Sequence, residues 1–139
     1  MAQGLLFPES QIMMRWLLEC GYLYVALGRR AEARAVFEGA EAIGADTELP
    51  TIGVGDTYCA DGAFDRAVDV YRRALERWPN SGLAKTHLAE ALHFSKRSDE
   101  ARALLEVVVK AEPMSPVAKL ARAVTEGIDA DLAAPADRS

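Results

Sequence analysis

Cysteine, proline and glycine are all scarce, at two, six and ten residues in a chain of 139. Cys20 and Cys59 share no metal-ligand spacing and sit inside helical patterns, which argues against a disulfide framework and for a reducing compartment. A membrane-length apolar run is also missing. The most apolar stretch, residues 12–27, is broken by Arg15 and Glu19 and is too short to span a bilayer. The start lacks the basic residues and apolar core of a secretory leader: Leu5-Leu6-Phe7 is stopped at once by Pro8, and cytoplasmic residence is expected. No excess of basic charge exists either. Sixteen Lys and Arg stand against 21 Asp and Glu, a formal charge of −5. The cations are interleaved with acids, as in Arg72-Arg73-Ala74-Leu75-Glu76, so they form solvated helix faces and leave no surface for nucleic acid.

What is present is material for helices. Half the residues are hydrophobic and 27% are charged, a balance that fits a globular domain and not a disordered chain. Alanine, leucine, arginine and glutamate dominate, and all favour helix. Glycine and proline punctuate at intervals, and those intervals repeat. Setting Pro79 over Pro113 gives an offset of 34 residues, at which Ala67 falls on Ala101, Tyr71 on Leu105, Ala74 on Val108 and Ser81 on Ser115. The same offset toward the N-terminus puts Gly55 on Gly21, Tyr58 on Tyr24, Gly62 on Gly28, Ala67 on Ala33, Tyr71 on Phe37 and Ala74 on Ala40. Small and aromatic residues keep step without a gap.

This pattern resembles the tetratricopeptide repeat, a helix–turn–helix unit of about 34 residues. Repeats are expected at 14–47, 48–81 and 82–115, with a capping helix at 116–127 completing one domain over 14–128. Residues 1–13 form an arm and the start of the first helix, and 129–139 a disordered tail. The resemblance implies an all-α, right-handed superhelix with helices at 10–27, 30–43, 48–60, 64–77, 82–94, 98–110 and 116–127. The second repeat fits best, through Gly55, Tyr58, Gly62, Ala67, Tyr71, Ala74 and Pro79. The first has Ala45 where proline is usual, and the third departs at Ala89, Leu92 and Lys96. Gly55 and Ala67 are small where two helices cross closely, Gly62 permits the positive φ that ends a helix, and Pro79 stops the next one. Ser98 and Ser115 are expected to open helices as N-caps.

In this family the first helices line the concave surface, and the resemblance assigns five positions per repeat to it. Carried onto this chain, these are Arg15, Leu18, Tyr22, Val25 and Ala26; Leu49, Ile52, Asp56, Cys59 and Ala60; and Leu83, Thr86, Glu90, His93 and Phe94. The cap adds Leu120 and Val124. Places that hold lysine, asparagine and arginine in the family's carboxylate clamp hold Leu18, Tyr22, Gly53, Leu83 and His87, so terminal-carboxylate capture is not expected. An apolar groove with a few acids suits a peptide that inserts two or three aliphatic anchors.

Catalytic constellations are absent from the pattern. His87 and His93 lie six apart on one helix and face different ways, without further metal ligands. Neither cysteine has a base or oxyanion site in view. The segment Gly53-Val54-Gly55-Asp56-Thr57 lacks the lysine and preceding strand of a phosphate loop. The expectation is a binding protein with no catalytic residue, metal or cofactor, and with a protein or peptide partner. More narrowly, its size, acidity and apolar groove are similar to those of the class II chaperones of type III secretion, which hold hydrophobic translocators before export. Ile12, Met13 and Trp16 make the first helix apolar nearly all round, which suggests a homodimer seam. The alternative function is an assembly subunit that docks through that helix, the groove standing idle or filled by the N-terminal arm.

Overall fold

The computed structural model describes residues 9–43 and 46–135; Leu5, Leu6, Phe7, Ala45 and the last four positions of the expected tail lie outside the described residues. Among the described residues there are seven α-helices and no strand: α1 (Glu9–Ala26), α2 (Arg30–Ala42), α3 (Leu49–Ala60), α4 (Phe64–Arg77), α5 (Gly82–Phe94), α6 (Ser98–Ala111) and α7 (Pro116–Ala133).

The 34-residue period is visible in the backbone itself. Positive φ occurs at Gly28 (74°), Gly62 (73°) and Lys96 (65°), the same place in three successive repeats. Each of the three closes its helix with the same pair of bonds. Gly28 N–H donates to Val25 O and Arg29 N–H to Tyr24 O; Gly62 and Ala63 bond to Cys59 and Tyr58, and Lys96 and Arg97 to His93 and Leu92. Lys96 thus takes a left-handed conformation without being glycine, which is strained. The core repeats in the same way. Ala33, Ala67 and Ala101 are fully buried, as are Ala40 and Ala74, while Phe37, Tyr71 and Leu105 fill the large position at 1% exposure or less.

Helix starts follow the period less evenly. Ser81 Oγ accepts from Ala84 N–H at 3.0 Å and Ser115 Oγ from Ala118 N–H at 3.1 Å, two caps one repeat apart. Ser98 does not cap. It is the first residue of α6, Arg97 occupies the cap position without a side-chain capping bond, and the Ser98 hydroxyl lies 2.9 Å from His93 Nδ1 instead. The expected C-terminal boundary is also corrected: α7 runs six residues beyond 127, to Ala133, so the first five residues of the expected disordered tail are helical. The reason is a continued apolar stripe through Val117, Ala121, Val124 and Ile128, the last of which is buried.

The chain divides into two compact units within α4, the first ending at Val70 and the second beginning at Tyr71. In the first, α1 packs on α2 and α3, and α2 on α3. Phe37 of α2 lies against two helices at glycine positions. A Cβ on Gly21 would fall 2.5 Å from its ring, and one on Gly53 2.6 Å. Leu18, Tyr24, Val25, Tyr58 and Val70 pack around the cluster of Ala33, Phe37 and Val54. Two arginines of α2 then fasten the end of α3. Arg30 and Arg34 both donate to the Asp61 carboxylate, and these bonds, Arg30's first, hold its pKa below the usual carboxylate range. Arg34 also stacks 3.9 Å from the centre of the Tyr58 ring and donates to Thr57 Oγ1 at 3.0 Å. Thr57 is fully buried and donates its own proton to Val54 O, so its hydroxyl is satisfied on both sides.

In the second unit α5 packs on α6 and α7, and α6 on α7. Gly82 at the start of α5 gives Val117 of α7 room, since a Cβ there would meet it at 3.1 Å. His93 ties the end of α5 to α7: its Nε2–H donates to the Asp131 carboxylate at 2.7 Å.

Candidate peptide-binding faces

The first helix of each repeat presents its own face. In the first unit Tyr22 and Asp56 hold the same position in adjacent repeats, and the Tyr22 hydroxyl donates to Asp56 Oδ2 at 2.9 Å. The Tyr22 ring stands edge-on to Phe37 with centroids 4.9 Å apart. Burial of the phenol, reinforced by the Asp56 charge and hydrogen bond, raises its pKa above the ordinary tyrosine range. This pair forms a polar rung on a face where Arg15 is a second charged position. Leu49 and Ala60 are exposed, Leu18, Val25 and Cys59 are half-buried, and Arg15 and Ala26 face solvent.

A cavity of about 700 Å³ opens beside the first turns of α1 and the start of α3, lined by Met14, Leu18, Glu19, Ile43 and Leu49 among others. Leu18 and Leu49 were expected on this surface; Met14 and Ile43 were not. Ile43 carried a signal, an apolar residue one step past the end of α2, left 50% exposed.

Ile52 does not line an open surface. It is 1% exposed, within a run from Pro50 to Gly55 that is buried throughout because α3 has both α1 and α2 against it. In the second unit Phe94 is 53% exposed, while Leu83 and Glu90 are half-buried. Two other expected positions turn inward there. Thr86 is fully buried, its hydroxyl donating back to Gly82 O at 2.8 Å. His93 is 8% exposed and is engaged by Ser98 and Asp131, so it is a structural tie and not a groove residue. Leu120 is exposed and Val124 half-buried on α7.

Ile12, Met13 and Trp16, the residues expected to form a seam, are all exposed, Trp16 at 68%. Among the described residues no group of three or more His, Cys, Asp and Glu side chains could hold a metal ion. No helix among them is long and apolar enough to cross a membrane.

Seven helices in a 34-residue register, with three equivalent turns and a repeating small–large core, define a tetratricopeptide-repeat fold. Residues 58–124 match the tetratricopeptide repeat family. Among solved structures, the chain is similar to the type III secretion translocator chaperone SycD of Yersinia enterocolitica, there in an alternative dimer. That match has 18% identity and a TM-score of 0.71, and covers 87% of this chain and 95% of that one. It is similar to PcrH from Pseudomonas aeruginosa at 17% identity and a TM-score of 0.71, over 84% of this chain and 92% of that one. SycD in complex with a peptide of the translocator YopD matches at 18% identity and a TM-score of 0.69, over 86% and 95%. At these identities the likeness is one of fold. No curated protein matches the chain.

Proposed function

We propose that the protein is a non-enzymatic, cytoplasmic binding module that holds a peptide segment on the open faces of its first helices, as a secretion chaperone holds its client. The observation that carries this reading is the set of apolar side chains left uncovered there: Leu49 beside half-buried Leu18, with Ala60 at the far end of α3, in the first unit, and Phe94 and half-buried Leu83 at opposite ends of α5 in the second. Support comes from SycD, whose fold is shared and which has been seen with a translocator peptide. The face takes aliphatic anchors, each worth roughly 1.5–3 kcal/mol when fully buried. After ordering costs the net affinity is on the order of micromolar. Asp56 and Glu90 lie on the same faces, which disfavours an acidic guest.

The test uses Leu49→Asp and Ala60→Arg, both at exposed positions. A guest is identified by co-purification and mass spectrometry, then titrated by calorimetry against wild type and both variants. The variants are expected to bind at least about tenfold more weakly with unchanged circular dichroism, a loss typical of a central anchor. Equal affinity in all three proteins would retire the reading. Ile52→Asp is unsuitable for this purpose, since it places a charge in the core.

A further inference from the structure

We infer that Gly127 of α7 is a specificity-determining position on the peptide-binding side of the second unit, left bare so that a bulky apolar side chain of the guest, leucine or larger, reaches the helix backbone there. The inference rests on the reading proposed above and names one anchor that it takes. Glycine is the least favourable residue for a helix interior after proline, and at other positions of this chain its cost has a visible cause. Gly21 and Gly53 make room for the Phe37 ring, and Gly82 for Val117. Gly28 and Gly62 adopt the positive φ of their turns. Gly39 lies in the last turn of α2, where Ile43 N–H bonds to its carbonyl, and a fraying end is where the choice of residue matters least. Gly127 has none of these reasons. It stands inside the 18-residue α7, more than a full turn from either end, without a positive φ, and a Cβ built on it would meet nothing within 4 Å.

Its place in the helix says what the gap is for. Leu120, Val124, Gly127 and Asp131 follow one another at four, three and four residues and so form one stripe along α7. The far end of that stripe is fixed against α5, because the Asp131 carboxylate accepts from His93 Nε2, and the His93 ring lies 5.2 Å from that of Phe94. Leu120 is 40% and Phe94 53% exposed, and Val124 is half-buried. The stripe therefore runs along the side of α7 that adjoins the second unit's peptide-binding face, with a side chain at every step but one. Between Val124 and Asp131 it has a gap one residue wide and open to solvent. Alanine at 127 would make the better helix, but its methyl group would stand where the anchor enters. Stability is given up for binding, as is common at functional positions. The rim sets the chemistry of the anchor. Val124 and Phe94 are apolar, and the acid of the stripe, Asp131, is already engaged by His93, so the gap takes an apolar side chain and not a cation.

The probe is a synthetic peptide of the guest's bound segment, defined by its protection from proteolysis and titrated by calorimetry, with thermal unfolding of the full chain as a second readout. Gly127→Ala is expected to raise Tm by about 3 °C. Gly127→Leu, also a good helix former, is expected to bind the peptide at least about tenfold more weakly with Tm no lower than wild type. Gly39→Ala should leave affinity unchanged. Truncating the peptide's apolar side chains to alanine one at a time then identifies the anchor: one truncation should weaken binding to wild type about tenfold and to Gly127→Leu far less. Equal affinity for Gly127→Leu, while Leu49→Asp and Ala60→Arg still lose the peptide, would overturn the inference and leave the reading it rests on in place. A peptide bound equally by all three variants would remove both. A lower Tm in Gly127→Ala would also overturn the inference, by showing that the fold itself requires glycine there, and so would a peptide in which no truncation is coupled to position 127.

Discussion

The two units solve the same packing problem with different side chains. In the first, a phenylalanine at the large position meets glycines, so that Phe37 lies against Gly21 and Gly53. In the second, the equivalents of Phe37 and Gly21 are Leu105 and Ala89, a smaller large residue and a larger small one, both buried. The repeat therefore fixes a combined volume at each crossing and leaves its division between partners open. Cores tolerate such trades while total volume is kept, and resist one-sided changes. One consequence is a different vulnerability: the first unit is sensitive to any side chain added opposite the ring, and the second to loss of aliphatic bulk.

The largest effects should come from breaking the first unit's arrangement. Phe37→Ala is expected to cost about 3–5 kcal/mol in denaturant unfolding, with a cavity that two flanking glycines cannot fill. Gly53→Ala should cost about 1–3 kcal/mol, since the buried ring has no free space to yield. Combined with Phe37→Leu it should lose less than the sum of the two single changes, because the new methyl and the smaller side chain compensate. Strict additivity would show that ring and glycine are not coupled.

The turns sharpen the comparison at a smaller scale. Gly28 and Gly62 take their positive φ without strain, whereas Lys96 pays for it in the second unit. Lys96→Gly should therefore stabilise by about 1 kcal/mol, and Gly62→Ala should destabilise by a similar amount. A neutral Lys96→Gly in thermal denaturation would mean that the left-handed turn is relieved in some other way.

The smallest effect concerns the polar rung of the first unit. The Tyr22 phenol, desolvated and beside Asp56, is held protonated. Its contribution to stability is complete below the ordinary tyrosine pKa and is lost only as pH rises through the raised folded value. In an ultraviolet titration one of the four tyrosines should ionise later than the others. Asp56→Asn should bring it back part of the way, since burial is the larger cause. An unshifted titration in that variant would remove Asp56 from the account.

Most of the architecture was legible because it depends on spacing. Turns at 28, 62 and 96, small residues at 33, 67 and 101, and large ones at 37, 71 and 105 recur at one interval, and helix bounds follow from them. What spacing could not convey is how many neighbours a helix has. Repeat position assigns Ile52, Thr86 and His93 to an open wall, but α3 is covered by two helices, Thr86 satisfies its hydroxyl on its own helix, and His93 is bonded to Ser98 and Asp131. Conversely, Leu23 of α1 is 59% exposed, although Thr57 and Ala91, at its place in the next two repeats, are fully buried. Gly53 enters the sequence reading only as a clamp place and a phosphate-loop glycine, and its packing role is explained by Phe37 alone. Ile128 could have been found, since it continues the stripe through Val117, Ala121 and Val124, but the acidic composition around it masked the signal.

The last turns of α7 also set where the polypeptide can be trimmed for expression. Ending it before Ile128 removes a buried side chain, and with it the Asp131 carboxylate that accepts the hydrogen bond from His93 Nε2. The imidazole would then lose its Nε2 acceptor to water and its apolar cover with it, a net loss of about 1 kcal/mol for the hydrogen bond and more for the buried Ile128 side chain. A boundary after Ala133 keeps both contacts, whereas one chosen by composition alone, at the start of the acidic stretch, would shorten a working helix.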